Sequence, residues 1–169
     1  MEERSKEKLK LSEVRIKEIL DLYQPHQIFL TNAEIDPGET RAHGLFIVPS
    51  TASHSRIYFP YVTAEQYIRC ISQLSYVLLF ALQETGGLKI PDATLEKLTL
   101  LKNRPAMYYR RFENLHFRKL ANKNESFSID LTFIDARKIR EFAIGKFKIE
   151  EPHVSGVFEG VVPLDPPGA

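Results

Sequence analysis

Only one cysteine, Cys70, occurs in 169 residues, which excludes an intramolecular disulfide framework and a cysteine-rich metal site. No charged-apolar-small leader opens the chain, so the expected compartment is the cytoplasm. Neither sign of charge is in real excess. The 23 Lys plus Arg face 22 Asp plus Glu, a balance that gives no reason to invoke nucleic acid or an anionic membrane. There is no G-x-S-x-G, no phosphate-binding glycine loop, and no histidine pair at metal spacing among His26, His43, His54, His116 and His153. No bound metal is therefore expected. Internal repeats and low-complexity tracts are absent as well. The length suits a single domain spanning 1–169, with 1–11 and 164–169 read as loose tails.

What the chain does have is one long apolar segment, Tyr61 to Gly87, with a clear start and stop. Thr63 is a good N-cap, Gln66 three residues later completes a capping box, and Val62 with Tyr67 has the spacing of a hydrophobic staple. Gly86 ends the helix. No charged residue lies between Cys70 and Gln83, and Tyr76 to Leu82 is apolar throughout, so the second half of the helix has no face for water. A membrane span would need about 20 mostly apolar residues, and Ser72, Gln73 and Ser75 interrupt a run already too short. The helix is expected inside the protein, wrapped by a sheet.

Around it, Glu2 to Asp21 is charged, and its later part reads as an amphipathic helix capped by Ser12 and ended at Tyr23-Gln24-Pro25. Gln27 to Ala33 reads as extended, Asp36-Pro37-Gly38 as a turn, and His43 to Val48 as a short apolar strand. That strand has no charge or proline to discourage pairing and is expected at a sheet edge. Pro91 to Lys102 suggests a second short helix. After Pro105 the texture changes to period two: Tyr108 to Lys119, the alternating FSIDLTFID, Glu141 to Ile149 and Val154 to Val162 read as strands, with Asp135 to Lys138 as a turn between two of them. Consecutive strands on short turns pair antiparallel. One enclosed helix followed by an antiparallel meander, with a strand or two before it, is the order of elements in the hot-dog fold, an α+β class.

Candidate chemistry is sparse. Cys70 could be a nucleophile, but its place inside a buried helix favours a small core residue. Ser72 and Tyr76 are spaced i, i+4 with Gln73 beside them, so one stripe of the enclosed helix carries a hydroxyl, a phenol and an amide. These either hydrogen-bond to the surrounding sheet or line a substrate pocket. Charge is uneven: from Lys97 to Lys123 eight basic residues face one acid, Glu113. This suits an anionic ligand or partner, or else a solvated face.

At this stripe the chain resembles the FcoT-type hot-dog proteins, long-chain fatty acyl-CoA thioesterases and relatives implicated in adding glycine to an enoyl thioester on a carrier protein. The resemblance runs from about Ile19 to Pro163. The family's Cys-x-Asn-Gln-Leu-x-Tyr reads Cys70-Ile71-Ser72-Gln73-Leu74-Ser75-Tyr76 here, Tyr23 falls where the family has a tyrosine after its first helix, and Phe117-Arg118-Lys119 matches an arginine-lysine strand. Thr63 and Ser72 replace two family asparagines. The resemblance implies an enzyme on acyl or enoyl thioesters of coenzyme A or acyl carrier protein, with the phosphopantetheine arm belonging to the substrate and no separate cofactor. It also implies a homodimer or tetramer. The catalytic candidates are Tyr23, Thr63, Ser72 and Tyr76, with Tyr58, Gln73, Arg110, Arg111, Arg118 and Lys119 for substrate binding. The alternatives are a non-catalytic acyl-binding module and a dehydratase-like protein, in whose His-Phe-Pro segment this chain has Tyr58-Phe59-Pro60.

Overall fold

The computed structural model describes residues 7–52, 58–88 and 108–164. In chain order the elements are β1 (Leu9–Leu11), α1 (Glu13–Ile19), a 3-10 turn (Pro25–Gln27), β2 (Leu30–Asp36), β3 (Arg41–Ile47), α2 (Ala64–Glu84), β4 (Tyr108–Phe117), β5 (Ser126–Ile139), β6 (Phe142–Glu150) and β7 (Val154–Pro163). The strands form one seven-stranded sheet in the order β1-β2-β3-β5-β6-β7-β4, and all its pairs are antiparallel. The sheet wraps α2, which packs on β2, β3 and β5. This is the hot-dog fold, with a short helix and strand added at the N-terminal side.

The central helix forms as its local signals dictate. Thr63 Oγ1 accepts from Gln66 N at 3.4 Å and Gln66 Oε1 accepts from Thr63 N at 2.9 Å, a complete capping box. At the other end Gly86, at φ 71°, and Gly87 donate back to Gln83 and Leu82 carbonyls at 3.2 and 2.8 Å, the paired bonds of a Schellman stop. Every residue from Gln73 to Leu82 is buried. The all-round apolar half is thus enclosed, with Ile16 and Ile19 of α1 among its buried surroundings. On the sheet side α2 comes so close to β3 that a Cβ on Gly44 would stand 2.9 Å from Leu74 Cδ1.

Four expectations need correction or lie out of reach. The apolar strand β3 is no edge. It pairs with β2 on one side and β5 on the other, and its uncharged run from His43 to Ile47 suits an interior strand, with the charge of Arg41 kept at its first residue. The sheet ends at β1 and β4. Asp135 to Lys138 is not a turn but the outer part of β5, which runs past a register shift at Phe133/Asp135 while staying paired with β6; the chain turns only after Ile139, at Arg140, φ 54°. Nor are the terminal segments wholly loose: Leu9–Leu11 is β1, and Leu164 is buried with its N–H donating to Glu141 O at 2.7 Å. The short helix expected over Pro91 to Lys102 lies outside the described residues.

Candidate active site

The stripe on α2 gathers partners from three other parts of the chain. Tyr23, just past α1, donates its hydroxyl to Ser72 Oγ at 3.0 Å, and its ring meets Tyr76 edge-on with centroids 6.5 Å apart. Tyr109 of β4 reaches in from the sheet, its hydroxyl donating to Ile68 O at 3.1 Å beside Ser72. Its ring is held by Phe112 and Phe158 at 4.9 and 5.4 Å. Two phenols, Tyr23 and Tyr109, thus stand at one serine hydroxyl midway along the helix, with the Tyr76 ring against Tyr23. Tyr109 was not among the sequence candidates. Its alternation with outward Arg110 was visible, but not which strand would cross Ser72.

The electrostatics of this cluster keep it neutral. Burial pushes the Tyr23 hydroxyl above its ordinary value, against the opposing effects of the Ser72 hydrogen bond and the Arg69 charge. Tyr109 is pushed up further by the same cause, and the Cys70 thiol, fully enclosed, is raised well above the usual cysteine range. Cys70 is accordingly a packed core thiol rather than an activated nucleophile. Gln73 is fully buried and its amide is engaged by backbone: Oε1 accepts from Phe29 N and Leu30 N at 2.9 and 3.1 Å, and Nε2 donates to Gln27 O at 2.7 Å. It ties the start of β2 to the helix and has no oxygen left to offer a substrate.

A second centre lies at the N-terminus of α2. Val62, Ala64, Tyr67, Phe117, Arg118, Lys119 and Leu120 line a pocket of about 380 Å³ there. Tyr67 donates weakly to Lys119 O at 3.5 Å, and burial pushes its hydroxyl up to about 12. Thr63 caps the helix at this pocket, and Arg118 and Lys119, both exposed, make no ion pair among the described residues. The other two candidate arginines are elsewhere. Arg110 bonds Glu159 at 3.3 Å, a buried carboxylate that also takes Arg137 at 2.8 Å, and Arg111 pairs with Glu113 at 3.1 Å. Tyr58 is 62% exposed and lines neither centre. Of the ten candidates, then, Tyr23, Ser72 and Tyr76 meet in one cluster, and Thr63, Arg118 and Lys119 in another.

The two centres are on one helix yet far apart. Ser72 is nine positions beyond Thr63, roughly 13 Å along the axis, and about two and a half turns later faces the opposite side. No helix among the described residues is long and apolar enough to cross a membrane.

Comparison with known proteins agrees on fold and stops there. No protein-family profile matches the chain, and no curated protein matches it in sequence. Among solved structures, Cj0977, a sigma28-regulated virulence protein from Campylobacter jejuni, is similar over 90% of this chain and 89% of its own, at 9% identity and a TM-score of 0.52. A hypothetical thioesterase from Streptococcus pneumoniae TIGR4, solved with coenzyme A, overlays more loosely, at 10% identity and TM-score 0.43 over 73% of this chain and 79% of that one. The dehydratase domain of PpsC from Mycobacterium tuberculosis, in complex with an acyl-CoA, does so at 12% and 0.48 over 92% of this chain and 52% of that one.

Proposed function

We propose that the protein is an enzyme acting on fatty acyl or enoyl thioesters of coenzyme A or acyl carrier protein, by thioester hydrolysis or by conjugate addition of glycine to the enoyl group. The observation that carries this reading is the pocket at the start of α2, where Arg118 and Lys119, without an ion pair among the described residues, stand with Ala64 of the first turn of a long buried helix. The capping box uses the backbone amide of Gln66, and the amides at the head of the helix, Ala64 foremost, would donate to a carbonyl oxygen as it gains charge. Arg118 and Lys119 suit the phosphate of a pantetheine arm or the acidic face of a carrier protein. The apolar surroundings of α2 suit an acyl chain. Tyr23, Ser72, Tyr76 and Tyr109 would orient the attacking water or amine. The motif from Cys70 to Tyr76 favours the FcoT-type chemistry within this class, whereas Tyr58, exposed and without an imidazole, gives no support to dehydration.

One observation favours a second reading. Burial favours the neutral, protonated form of Tyr23, Tyr109 and Cys70, so none of these three is poised as a base. That is compatible with a module that binds acyl thioesters without turning them over. A panel of acyl and enoyl thioesters of coenzyme A and of carrier protein, with and without glycine, separates the two. Turnover of any member supports the enzyme. No turnover, with a lipid or pantetheine species retained on the purified protein in mass spectrometry, supports the module.

A further inference from the structure

The outer face of the sheet carries a cluster that the thioester reading does not use. His43 of β3 and Asp130 of β5 are direct cross-strand partners, and the imidazole Nδ1 lies 2.8 Å from Asp130 Oδ1. Glu151 follows β6 at the same place. One donor atom from each of His43, Asp130 and Glu151 lies within 4.8 Å of the other two. Arg41, two residues before His43 on the same strand face, takes the other oxygen of Asp130 at 2.5 Å and leaves Oδ1 turned toward the imidazole. The cluster borders a pocket of about 330 Å³ that also brings in Glu34, Asp36 and Glu39, with Lys8 and Arg41 as its cations. Five carboxylates, counting Glu151, thus stand against two permanent positive charges, an excess of three negative.

The geometry points to a divalent transition-metal site of the Zn²⁺ type, with His43, Asp130 and Glu151 as protein ligands and water in the remaining position. An imidazole with two carboxylates is a donor set that a borderline ion accepts, while Ca²⁺ would ask for six or more oxygens, beyond what three residues supply. In a tetrahedral site with bonds of about 2.1 Å, ligand atoms stand about 3.4 Å apart. The His43–Asp130 contact must open by about half an ångström and Glu151 must draw inward, movements within reach of side-chain rotation on a fixed backbone. Two of the ligands project from interior strands whose register is set on both sides, so their spacing is preorganised. Arg41 has the part of an outer partner, orienting the ligating carboxylate from behind. A search for ligand spacing along the chain could not find this site, because His43 and Asp130 are 87 residues apart and meet only through strand register.

Calorimetry on the full chain with Zn²⁺, and visible absorption with Co²⁺, tests the site without reference to thioester turnover, so its outcome is independent of the proposed function. The expected result is one ion per chain and a tetrahedral Co²⁺ spectrum. Both disappear in His43→Ala, and affinity falls about tenfold or more in Glu151→Gln, a variant whose metal-free melting should match the parent. His116→Ala, which removes an exposed imidazole elsewhere, should bind as the parent does. Binding of less than one ion per chain, or binding unchanged in both His43→Ala and Glu151→Gln, would overturn the assignment.

Discussion

The Tyr23 hydroxyl donates to Ser72 Oγ at 3.0 Å, joining the end of the N-terminal helix to the middle of the central one across 49 residues of sequence. A single partly buried hydrogen bond of this kind contributes about 1 kcal/mol. Tyr23→Phe and Ser72→Ala should each lower unfolding free energy by about that amount, and the double variant by less than the sum. Urea melts of the four proteins measure this. If the pair also orients a reacting group, kcat for the best thioester should fall in both single variants while the folded fraction stays essentially complete.

Thr63 separates cap from catalysis. Thr63→Ala removes the acceptor for Gln66 N and should cost about 1 kcal/mol, while Thr63→Ser should keep most of the parent stability. Because the amides proposed to hold the thioester carbonyl lie in the same first turn, loosening that turn should also lower kcat about tenfold, equivalent to about 1.4 kcal/mol in the barrier. A Thr63→Ala protein that is folded and fully active would leave Thr63 with only its capping role.

The central helix was legible because its signals are local: Thr63, Gln66 and Gly86 fix the ends, and the run from Tyr76 to Leu82 permits no exposed face. Strand order was not. A charge-free strand such as HGLFIV suits an interior position and an unprotected edge equally on sequence, and only pairing with β2 and β5 decides between them. Asp135 to Lys138 misled for a related reason. That part of β5 extends past the core, its residues are mostly exposed, and a strand with no buried face loses the alternation that marks one. Tyr109 was missed and the role of Gln73 left open because both depend on partners elsewhere in the chain: the approach of β4 to Ser72 for Tyr109, the backbone amides of Phe29 and Leu30 for Gln73.

Gln73 gives the sharpest stability test. Gln73→Leu keeps the volume roughly constant but leaves the N–H groups of Phe29 and Leu30 without their acceptor in a buried place. With about 1 to 3 kcal/mol for each unsatisfied buried donor, the loss should be about 3 kcal/mol or more. It should appear as a lower denaturation midpoint with an unchanged slope. A loss under about 1 kcal/mol would mean that β2 finds other acceptors.

Alkaline stability follows from the enclosed tyrosines and Cys70. Each is raised in the folded state, by burial above all, so the unfolded chain ionises first as pH rises. The stabilisation is fully present below the unfolded values, about 8.5 for the thiol and about 10 for the phenols, and is lost progressively above them. Urea midpoints should therefore hold steady through neutral pH, begin to fall above about 8.5 and fall more steeply above about 10. Cys70→Ala should remove the first part of the fall and Tyr109→Phe should shallow the second. The native thiol should also resist alkylation until the protein unfolds.

The final prediction concerns assembly. β4 ends the sheet as a ten-residue strand, with Phe112 36% and Phe117 44% exposed along it, whereas the opposite end is the three-residue β1. A two-fold partner pairing along β4 would cover the longer edge with a self-complementary contact. Tyr109 carries the Ser72 cluster to the same strand, and Phe117 leads from it into the pocket beside Thr63. Within one chain these centres are roughly 13 Å apart on opposite sides of α2 and cannot act on one carbonyl. Across a two-fold axis, the Thr63 end of one subunit can meet the Ser72 side of the other. Light scattering at micromolar concentration should therefore give a dimer or a dimer of dimers. Mixing an inactive Thr63 variant with an inactive Ser72 variant should recover part of the activity, since some mixed dimers contain one intact site. Tyr23 and Tyr76 variants should not rescue each other, because both side chains belong to one cluster in one chain. A folded, active monomer of 19.5 kDa would refute the shared site outright.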